Sequence, residues 1–227
     1  MGTGVLRRVG AIGDVHGEDV LLEAAIHFLE HEGRVDATLC VGDIVDGQGN
    51  VDRCGTLLRN HGVQTVAGNH DRWFLANEQR GLPDATREVR PNTWAWLESL
   101  PRTRRFRTAA GTLLLCHGVG ENDMAELRPE TRGYGLQALH ELRALWLDPE
   151  VDLVVGGHTH ARMVRPFPGL VFINAGTLHR EHGPGFVVLD FAARKVELYD
   201  LPAPPRHGGN APRLAEVVPL PEPLPLR

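Results

Sequence analysis

Short polar clusters in the sequence combine residue types that suit metal binding. They lie in the segments GDVHG, VGDIVDG, AGNHD, CHG and GGHTH. Their aspartate, asparagine and histidine residues include Asp14, His16, Asp43, Asn69, His70, Asp71, His117, His158 and His160. Carboxylate and amide oxygens together with imidazole nitrogens form the ligand mixture typical of divalent ions such as manganese, iron and zinc. Two such ions need about eight to ten ligands, counting waters and a shared carboxylate, so the clusters favour a site for two metal ions.

Each cluster taken alone has an ordinary alternative. The paired histidines of GGHTH could serve a turn, and Asp46 and Asp71 could start turns or helices, because aspartate favours both places. The histidines outside the clusters are interpreted as ordinary surface or core residues; they are His27, His31, His61, His140, His179, His182 and His207. For the clusters themselves the ordinary interpretation requires several independent coincidences, so the metal site is the better hypothesis.

The first three clusters are positioned by the elements that precede them. Apolar runs at residues 8–12, 36–41 and 63–68 predict β-strands, and the segments 18–33 and 51–62 between them predict helices. This alternation predicts a parallel sheet covered by helices, with one cluster after the carboxyl end of each strand. Because those ends meet at one edge of the sheet, we expect the clusters to converge. The neighbouring glycines let the backbone turn sharply there.

The second half of the chain is predicted to contain more strand than helix. Residues 104–116 and 185–201 each predict a β-hairpin, and residues 152–157 and 170–176 predict further strands. A helix is predicted over residues 136–146. The last two clusters again follow strands, so a second sheet packed on the first would bring all five clusters together.

Length and charge limit the classes of function. The chain has 227 residues with 42% hydrophobic content, which is enough for one large domain with its own core. Lysine and arginine number 24 against 29 acidic residues, so the net charge of -5 offers no global attraction for nucleic acid or an anionic membrane. No signal-peptide pattern and no run of about 18 apolar residues is present. We therefore expect a cytoplasmic protein that has no membrane as a partner.

The chain divides by composition into a domain over residues 1–201 and a tail over residues 202–227. The tail holds 8 of the 16 prolines. Such a composition does not pack a core, and we expect the tail to be extended or flexible.

The ordered clusters resemble those of the calcineurin-like metallophosphoesterase superfamily, and the chain is most similar to its small bacterial and archaeal phosphoesterases. The resemblance covers residues 8 to about 177. It implies an α/β fold, a four-layer αββα sandwich in which two packed mixed sheets are flanked by helices. It also implies a ligand set: one ion at Asp14, His16 and His160, and a second at Asn69, His117 and His158, with Asp43 bridging both.

The same resemblance implies an activity. The chain would hydrolyse phosphomono- or phosphodiester bonds through in-line attack by a hydroxide that bridges two divalent ions. His70 matches the family's catalytic histidine that is not a ligand, and we expect it to assist the leaving oxygen. Asp71 is expected to orient the His70 imidazole. The ligand types do not decide between manganese, iron and zinc.

Departures from the family pattern bear on the substrate. Protein serine/threonine phosphatases and diadenosine tetraphosphate hydrolases of this superfamily carry Asp-Arg-Gly after the bridging aspartate, whereas this chain has Asp46 followed by Gly47. The phosphate-gripping arginine is therefore absent at that position. Other arginines near the clusters are candidates for holding a phosphate: Arg128, Arg132, Arg162 and Arg180. We expect a small-molecule or nucleotide phosphoester as the substrate.

Two other classes of function stay open. The first is a binding or scaffold module that keeps the fold without turnover and uses the proline-rich tail as its partner motif. Such members lose metal-ligand histidines, and this chain has the whole set. The second is a nuclease or repair phosphoesterase, which would need a basic groove beside the metals. The acidic net charge disfavours nucleic acid as a partner, and the sequence does not fix the oligomeric state.

Overall fold

The computed structural model describes residues 4–202 and 211–223. In these ranges the helices are α1 (Asp19–His31), α2 (Val51–Asn60), α3 (Asn69–Leu75), α4 (Pro91–Glu98), α5 (Tyr134–Gln137) and α6 (His140–Trp146). The strands are β1 (Arg8–Ile12), β2 (Ala37–Cys40), β3 (Gln64–Thr65), β4 (Arg104–Thr108), β5 (Gly111–Leu115), β6 (Leu153–Gly156), β7 (Met163–Phe167), β8 (Leu170–Asn174), β9 (Gly185–Asp190), β10 (Lys195–Asp200) and β11 (Arg213–Pro219).

The strands form two mixed sheets. The first has the order β11-β10-β9-β1-β2-β3, and the second has the order β4-β5-β6-β8-β7. In the first sheet β1, β2 and β3 are parallel, as the alternation of strands and helices predicts, and β9 returns antiparallel to β1. In the second sheet β5, β6 and β8 are parallel, with antiparallel strands at both edges.

Three hydrophobic cores separate four layers. Successive strand residues point to opposite faces, so Ile12 packs against α1 and α2 on the outside, whereas Ala11 faces the second sheet. In β5, Leu115 lies between the sheets and Leu114 packs against α6 on the other side. Each leucine or isoleucine side chain stabilises the fold by about 1.5–3 kcal/mol when fully buried. The expected αββα sandwich is thus confirmed.

The single helix predicted over residues 136–146 is instead two short helices, α5 and α6. Its leucines, Leu136, Leu139, Leu142 and Leu145, are three residues apart, and all four contact the outer core of the second sheet. Each step of three residues falls about 60° short of a full helical turn. One continuous helix would therefore turn the last leucine away from the core, and the break at Leu139 avoids this.

Part of the tail belongs to the first sheet, although its composition predicts a tail that does not pack on the core. Strand β11 pairs antiparallel with β10 at the edge of the sheet, and Leu220 just after it is buried between the sheets. Backbone pairing needs no apolar side chains, which explains how a strand that is exposed at nearly every residue is still held. The domain boundary stays a prediction, and residues 203–210 and 224–227 of the tail lie outside the described residues.

The remaining features of the fold concern the cysteines and membrane association. Cys40, Cys54 and Cys116 are buried free thiols, and burial raises the pKa of Cys116 to about 12. They are therefore small core residues. Among the described residues, no helix has the length and apolar character that crossing a membrane requires.

Candidate metal centre

The polar clusters meet at one edge of the two sheets. Asp14 and His16 follow β1, Asp43 follows β2, His117 follows β5, and the His158–His160 pair follows β6. Asn69 enters the same place from the first turn of α3. The sheets pack face to face with their parallel strands ending at the same side, which is why residues more than 140 positions apart in the chain come into contact.

The backbone at this edge is strained. Residues with left-handed backbone include His16, Asp43, Asp46, His158 and His160, with φ values of 46°, 48°, 62°, 66° and 59°. For residues other than glycine this conformation costs about 1–3 kcal/mol each. Strain of this kind persists when the surrounding structure enforces it, and here it aims side chains off the strand ends into a common space.

Two glycines leave room for the carboxylates. A Cβ atom at Gly157 would overlap Oδ1 of Asp14, and one at Gly68 would overlap Oδ1 of Asp43. Gly157, the second glycine of the pair before His158, therefore has a steric role. Only a residue without a side chain lets the Asp14 carboxylate approach the backbone there.

The first ligand group consists of Asp14, His16 and His160, whose ligand atoms all lie within 4.8 Å of one another. Nε2 of His16 lies 3.1 Å from Nε2 of His160, and the latter lies 3.0 Å from Oδ2 of Asp14. Among the described residues, Oδ2 of Asp14 is buried and has no partner with hydrogen-bond geometry. A buried carboxylate oxygen facing imidazole nitrogens fits a cation between them.

The second ligand group consists of Asp43, His117 and His158, again within 4.8 Å. Oδ1 of Asn69 lies 2.8 Å from Nε2 of His117, which places the amide beside this group. Oδ2 of Asp43 lies 3.3 Å from Nε2 of His117 and 3.9 Å from Nε2 of His16. One carboxylate oxygen thus reaches both groups, which is the position that a bridging ligand requires.

Hydrogen bonds at Nδ1 fix which nitrogen of the ligand histidines is free. Nδ1 of His16 donates to the carbonyl of Asp46 at 2.9 Å, and Nδ1 of His117 donates to the carbonyl of Val41 at 2.9 Å. A carbonyl accepts only, so each Nδ1 carries a proton and Nε2 is the nitrogen that faces the ligand group. Such an arrangement is typical of metal-ligating histidines.

The electrostatics of the site favour a cation. Burial lowers the pKa of His117, but the carboxylates of Asp43 and Asp14 outweigh this and raise it to about 10. Burial would also raise the pKa of both carboxyl groups, yet His117 lowers them below their usual range. The carboxylates therefore stay charged in a buried setting and hold a proton on His117 when nothing else neutralises them. A divalent ion would take over this role and displace the proton.

Two other ligand histidines stay neutral, which is the form that binds metal. Burial lowers the pKa of His16, and burial together with His117 lowers the pKa of His158. The donor set of both groups, with two carboxylates, an amide oxygen and imidazole nitrogens, therefore fits divalent ions of the manganese, iron or zinc kind.

The structure corrects the partner of His70. Nδ1 of His70 lies 2.8 Å from Oδ2 of Asp46, not from Asp71. Burial lowers the pKa of His70, but the hydrogen bond that it donates to Asp46 and the charge of Asp43 raise it above its usual value. The raised pKa favours the imidazolium, in which Nδ1–H donates to Asp46 and Nε2–H is the group available to a substrate.

Asp71 instead supports the loop that carries Asp43. Its carboxylate accepts hydrogen bonds from the backbone N–H groups of Ile44, Val45 and Gly68, at 2.8, 3.3 and 2.9 Å. Burial and the nearby Asp43 charge raise its pKa to about 7. Since Asp71 is fully buried beneath the loop, the prediction that it orients His70 is wrong.

The four arginines suggested for phosphate binding have other partners. Arg180 pairs with Glu18 through Nε and Nη2, and Arg162 pairs with Asp200 and the carbonyl of Tyr199. Arg128 pairs with Glu126, and Arg132 binds the backbone carbonyls of Pro129 and Thr131. None of these contacts involves a ligand group, and a role for any of the four with substrate stays a prediction.

Two histidines outside the polar clusters of the sequence lie against the first ligand group. Nδ1 of His182 lies 2.6 Å from Nδ1 of His160, and the ring of His179 stacks on that of His182 at 4.3 Å between centroids. The His179 ring also lies 5.5 Å from that of His16. They belong to no cluster of the sequence, so only their approach in space reveals them.

Comparisons with known proteins agree with this geometry. A family model for the calcineurin-like phosphoesterase superfamily domain matches residues 8–194. An uncharacterized protein of Methanocaldococcus jannaschii is 21% identical over 195 residues, which are 79% of this chain and 73% of that protein. A metallophosphoesterase from Sphaerobacter thermophilus has a similar structure, with a TM-score of 0.64, 23% identity, and coverage of 87% and 88% of the two chains. A phosphoesterase from E. coli aligns with a TM-score of 0.56 and 15% identity over 94% of this chain and 99% of the other. At these identities, the likeness to the solved structures establishes the fold.

Proposed function

The chain belongs to the calcineurin-like phosphoesterase superfamily, and from that membership we propose that it is a phosphoesterase that uses two divalent metal ions. It would hydrolyse phosphomonoester or phosphodiester bonds of a small molecule or nucleotide. The net charge of -5 gives no general attraction for the nucleic-acid backbone, which supports the smaller substrate.

The observation that carries this proposal is the position of Asp43. Its side chain is 2% exposed, and its Oδ2 atom reaches a histidine of each ligand group. A buried carboxylate between imidazole nitrogens of both ligand groups suits a ligand shared by two ions. Oδ2 of Asp14, which lies 3.0 Å from Nε2 of His160, adds a second buried acceptor in the first ligand group.

The bound ions and His70 would have separate tasks in this reaction. Two divalent ions, when bound, would lower the pKa of a water between them and take up charge from the phosphoryl oxygens. His70 would give the proton on Nε2 to the leaving oxygen, because its Nδ1 is already committed to Asp46. General acid assistance of this kind contributes about 10²- to 10⁴-fold to rate.

The experiment compares metal content and turnover in Asp43→Asn with those of the parent protein. Turnover is measured with p-nitrophenyl phosphate, bis-p-nitrophenyl phosphate and cyclic nucleotides, with Mn²⁺ and with EDTA. We expect Asp43→Asn to lose metal and turnover together, because the shared anionic ligand is gone. Glu197→Gln is the matched control, since Glu197 is also buried but pairs with Arg8 and Lys195 far from the site. Retention of both ions with full turnover in Asp43→Asn would contradict the proposal.

A further inference from the structure

The irregular segment between α3 and α4 reaches into the site through Arg80. Its Nη1 and Nη2 atoms donate to Oδ1 and Oδ2 of Asp46 at 2.9 and 3.0 Å. Nε of Arg80 donates to the carbonyl of Glu78 at 2.6 Å, which fixes the third nitrogen. The ion pair is well shielded, since the side chains are 15% and 3% exposed. This guanidinium is therefore held in one orientation against one carboxylate.

The same segment binds Asp46 a second time through Thr86. The N–H of Thr86 donates to Oδ1 of Asp46 at 2.9 Å, and the N–H of Asp46 donates to Oγ1 of Thr86 at 2.9 Å. Together with His70, these groups give the carboxylate four donors. Arg80 and Thr86, which we call the Asp46 clamp, thus define both the plane and the position of the Asp46 carboxylate. They do so although the backbone of Asp46 is in the strained left-handed region.

We propose that Arg80 is a positioning residue that acts on the leaving-group step through Asp46 and His70. Oδ2 of Asp46 accepts from both His70 and Arg80, so the direction of the His70 imidazole depends on where the guanidinium holds that oxygen. Without Arg80 the carboxylate can rotate about its last bond, and Nε2 of His70 loses its fixed aim. This inference rests on the proposed function. It adds Arg80 to the His70–Asp46 pair as a third member, which the sequence does not suggest.

The kinetic test uses Arg80→Met, which keeps most of the side-chain bulk and removes the fork of donors. A misplacement of about 1 Å at a reacting group can cost about 10²-fold. We expect kcat for a nucleoside or alkyl phosphoester to fall by about 10- to 100-fold, with KM and metal content unchanged. Cleavage of p-nitrophenyl phosphate should fall far less, because nitrophenolate leaves without a proton. Arg80→Lys, which retains the charge but not the fork, should give an intermediate loss.

The matched control is Arg8→Met. Arg8 is also partly buried and engages two carboxylates, Asp190 and Glu197, but it lies at the start of β1. It is therefore away from the strand ends that carry Asp14, Asp43 and His117, which we call the metal edge. We expect it to lower stability without changing the ratio of turnover on the two kinds of ester. In a His70→Asn background, Arg80→Met should cause no further loss on the alkyl ester. An equal loss in that background, a loss of metal, or a rise in KM alone would overturn the inference.

An NMR measurement tests the clamp without any turnover. The Nδ1–H proton of His70 is identified as the imidazole resonance that disappears in His70→Asn. It should be protected from exchange in the parent protein and in Arg8→Met, and it should broaden or vanish in Arg80→Met. Persistence of that resonance in Arg80→Met would overturn the inference. A parent protein that cleaves no phosphoester would overturn the proposed function while leaving this test of the clamp in force.

Discussion

The metal edge of the sheets and the β11 edge are built in opposite ways. At the metal edge, Asp14, Asp43 and His117 are almost completely buried, and several neighbours have left-handed backbone. At the other edge, β11 is exposed at nearly every residue and is held by regular pairing with β10. The first arrangement costs free energy in strain and buried charge, whereas the second adds stability without constraining any side chain. Substitutions at the metal edge should therefore change turnover more than the free energy of unfolding. Substitutions at the β11 edge should change the free energy of unfolding more than turnover.

The largest expected effect is that of His117→Asn. This change removes a buried imidazole that contacts both Asp43 and Asn69. We expect loss of metal and a fall of turnover by about 10³-fold on both nitrophenyl and alkyl esters, measured on the same preparations. His31→Asn, an exposed histidine of α1, should leave both quantities unchanged. Full metal content in His117→Asn would remove His117 from the ligand set.

His70→Asn should separate metal binding from turnover. His70 contacts Asp46 through its side chain and lies in neither ligand group, so both ions should stay. Alkyl or nucleoside phosphoester cleavage should fall by about 10²- to 10⁴-fold, while nitrophenyl ester cleavage should be largely spared. The measurement is the ratio of mutant to parent turnover for the two leaving groups. Equal ratios with metal retained would mean that His70 holds the phosphoryl group instead, and loss of metal would make it a ligand.

The smallest effect on function is expected at the β11 edge. Leu220→Ala removes a buried leucine from the core between the sheets and should lower the free energy of unfolding by about 2–5 kcal/mol. Leu214→Ala, at a position that is 53% exposed on β11 itself, should stay within about 0.5 kcal/mol of the parent. Denaturant unfolding measures both, and turnover per folded molecule should be the same in each. A loss of turnover in Leu220→Ala at temperatures where it is folded would break the contrast between the two edges.

The tail illustrates where composition misleads. The proline content alone predicts a tail that packs no core. Because β11 and Leu220 lie in that segment, its deletion should now lower stability while leaving the metal edge in place. Proline is compatible with an edge strand, since an edge has one side on which no N–H is needed.

Much of the site was predictable because its residues are tied to local patterns. The candidate ligands each stand just past a strand end, and strands are recognisable from short apolar runs. The helix break at Leu139 and the edge strands β7 and β11 were not predicted, since each depends on contacts with a core formed elsewhere in the chain. Likewise, Asp71 is the neighbour of His70 in the sequence and Asp46 is 24 positions away, yet the fold places Asp46 at the imidazole. The Asp46 side chain, from the loop after β2, contacts the imidazole, whereas the Asp71 side chain, from α3, binds the backbone of that loop.

The sequence by itself predicted polar clusters after strand ends, because strand periodicity and ligand chemistry are properties of short segments, and the resemblance of those clusters to the superfamily implied the sandwich fold and a candidate ligand set. Tertiary structure alone decided that Asp46 holds His70 and that Arg80 and Thr86 hold Asp46. Residues such as Arg80 and His182 lie in segments without a recognisable motif. Their contacts depend on how irregular backbone is folded over a finished sheet, and no spacing along the chain encodes that approach.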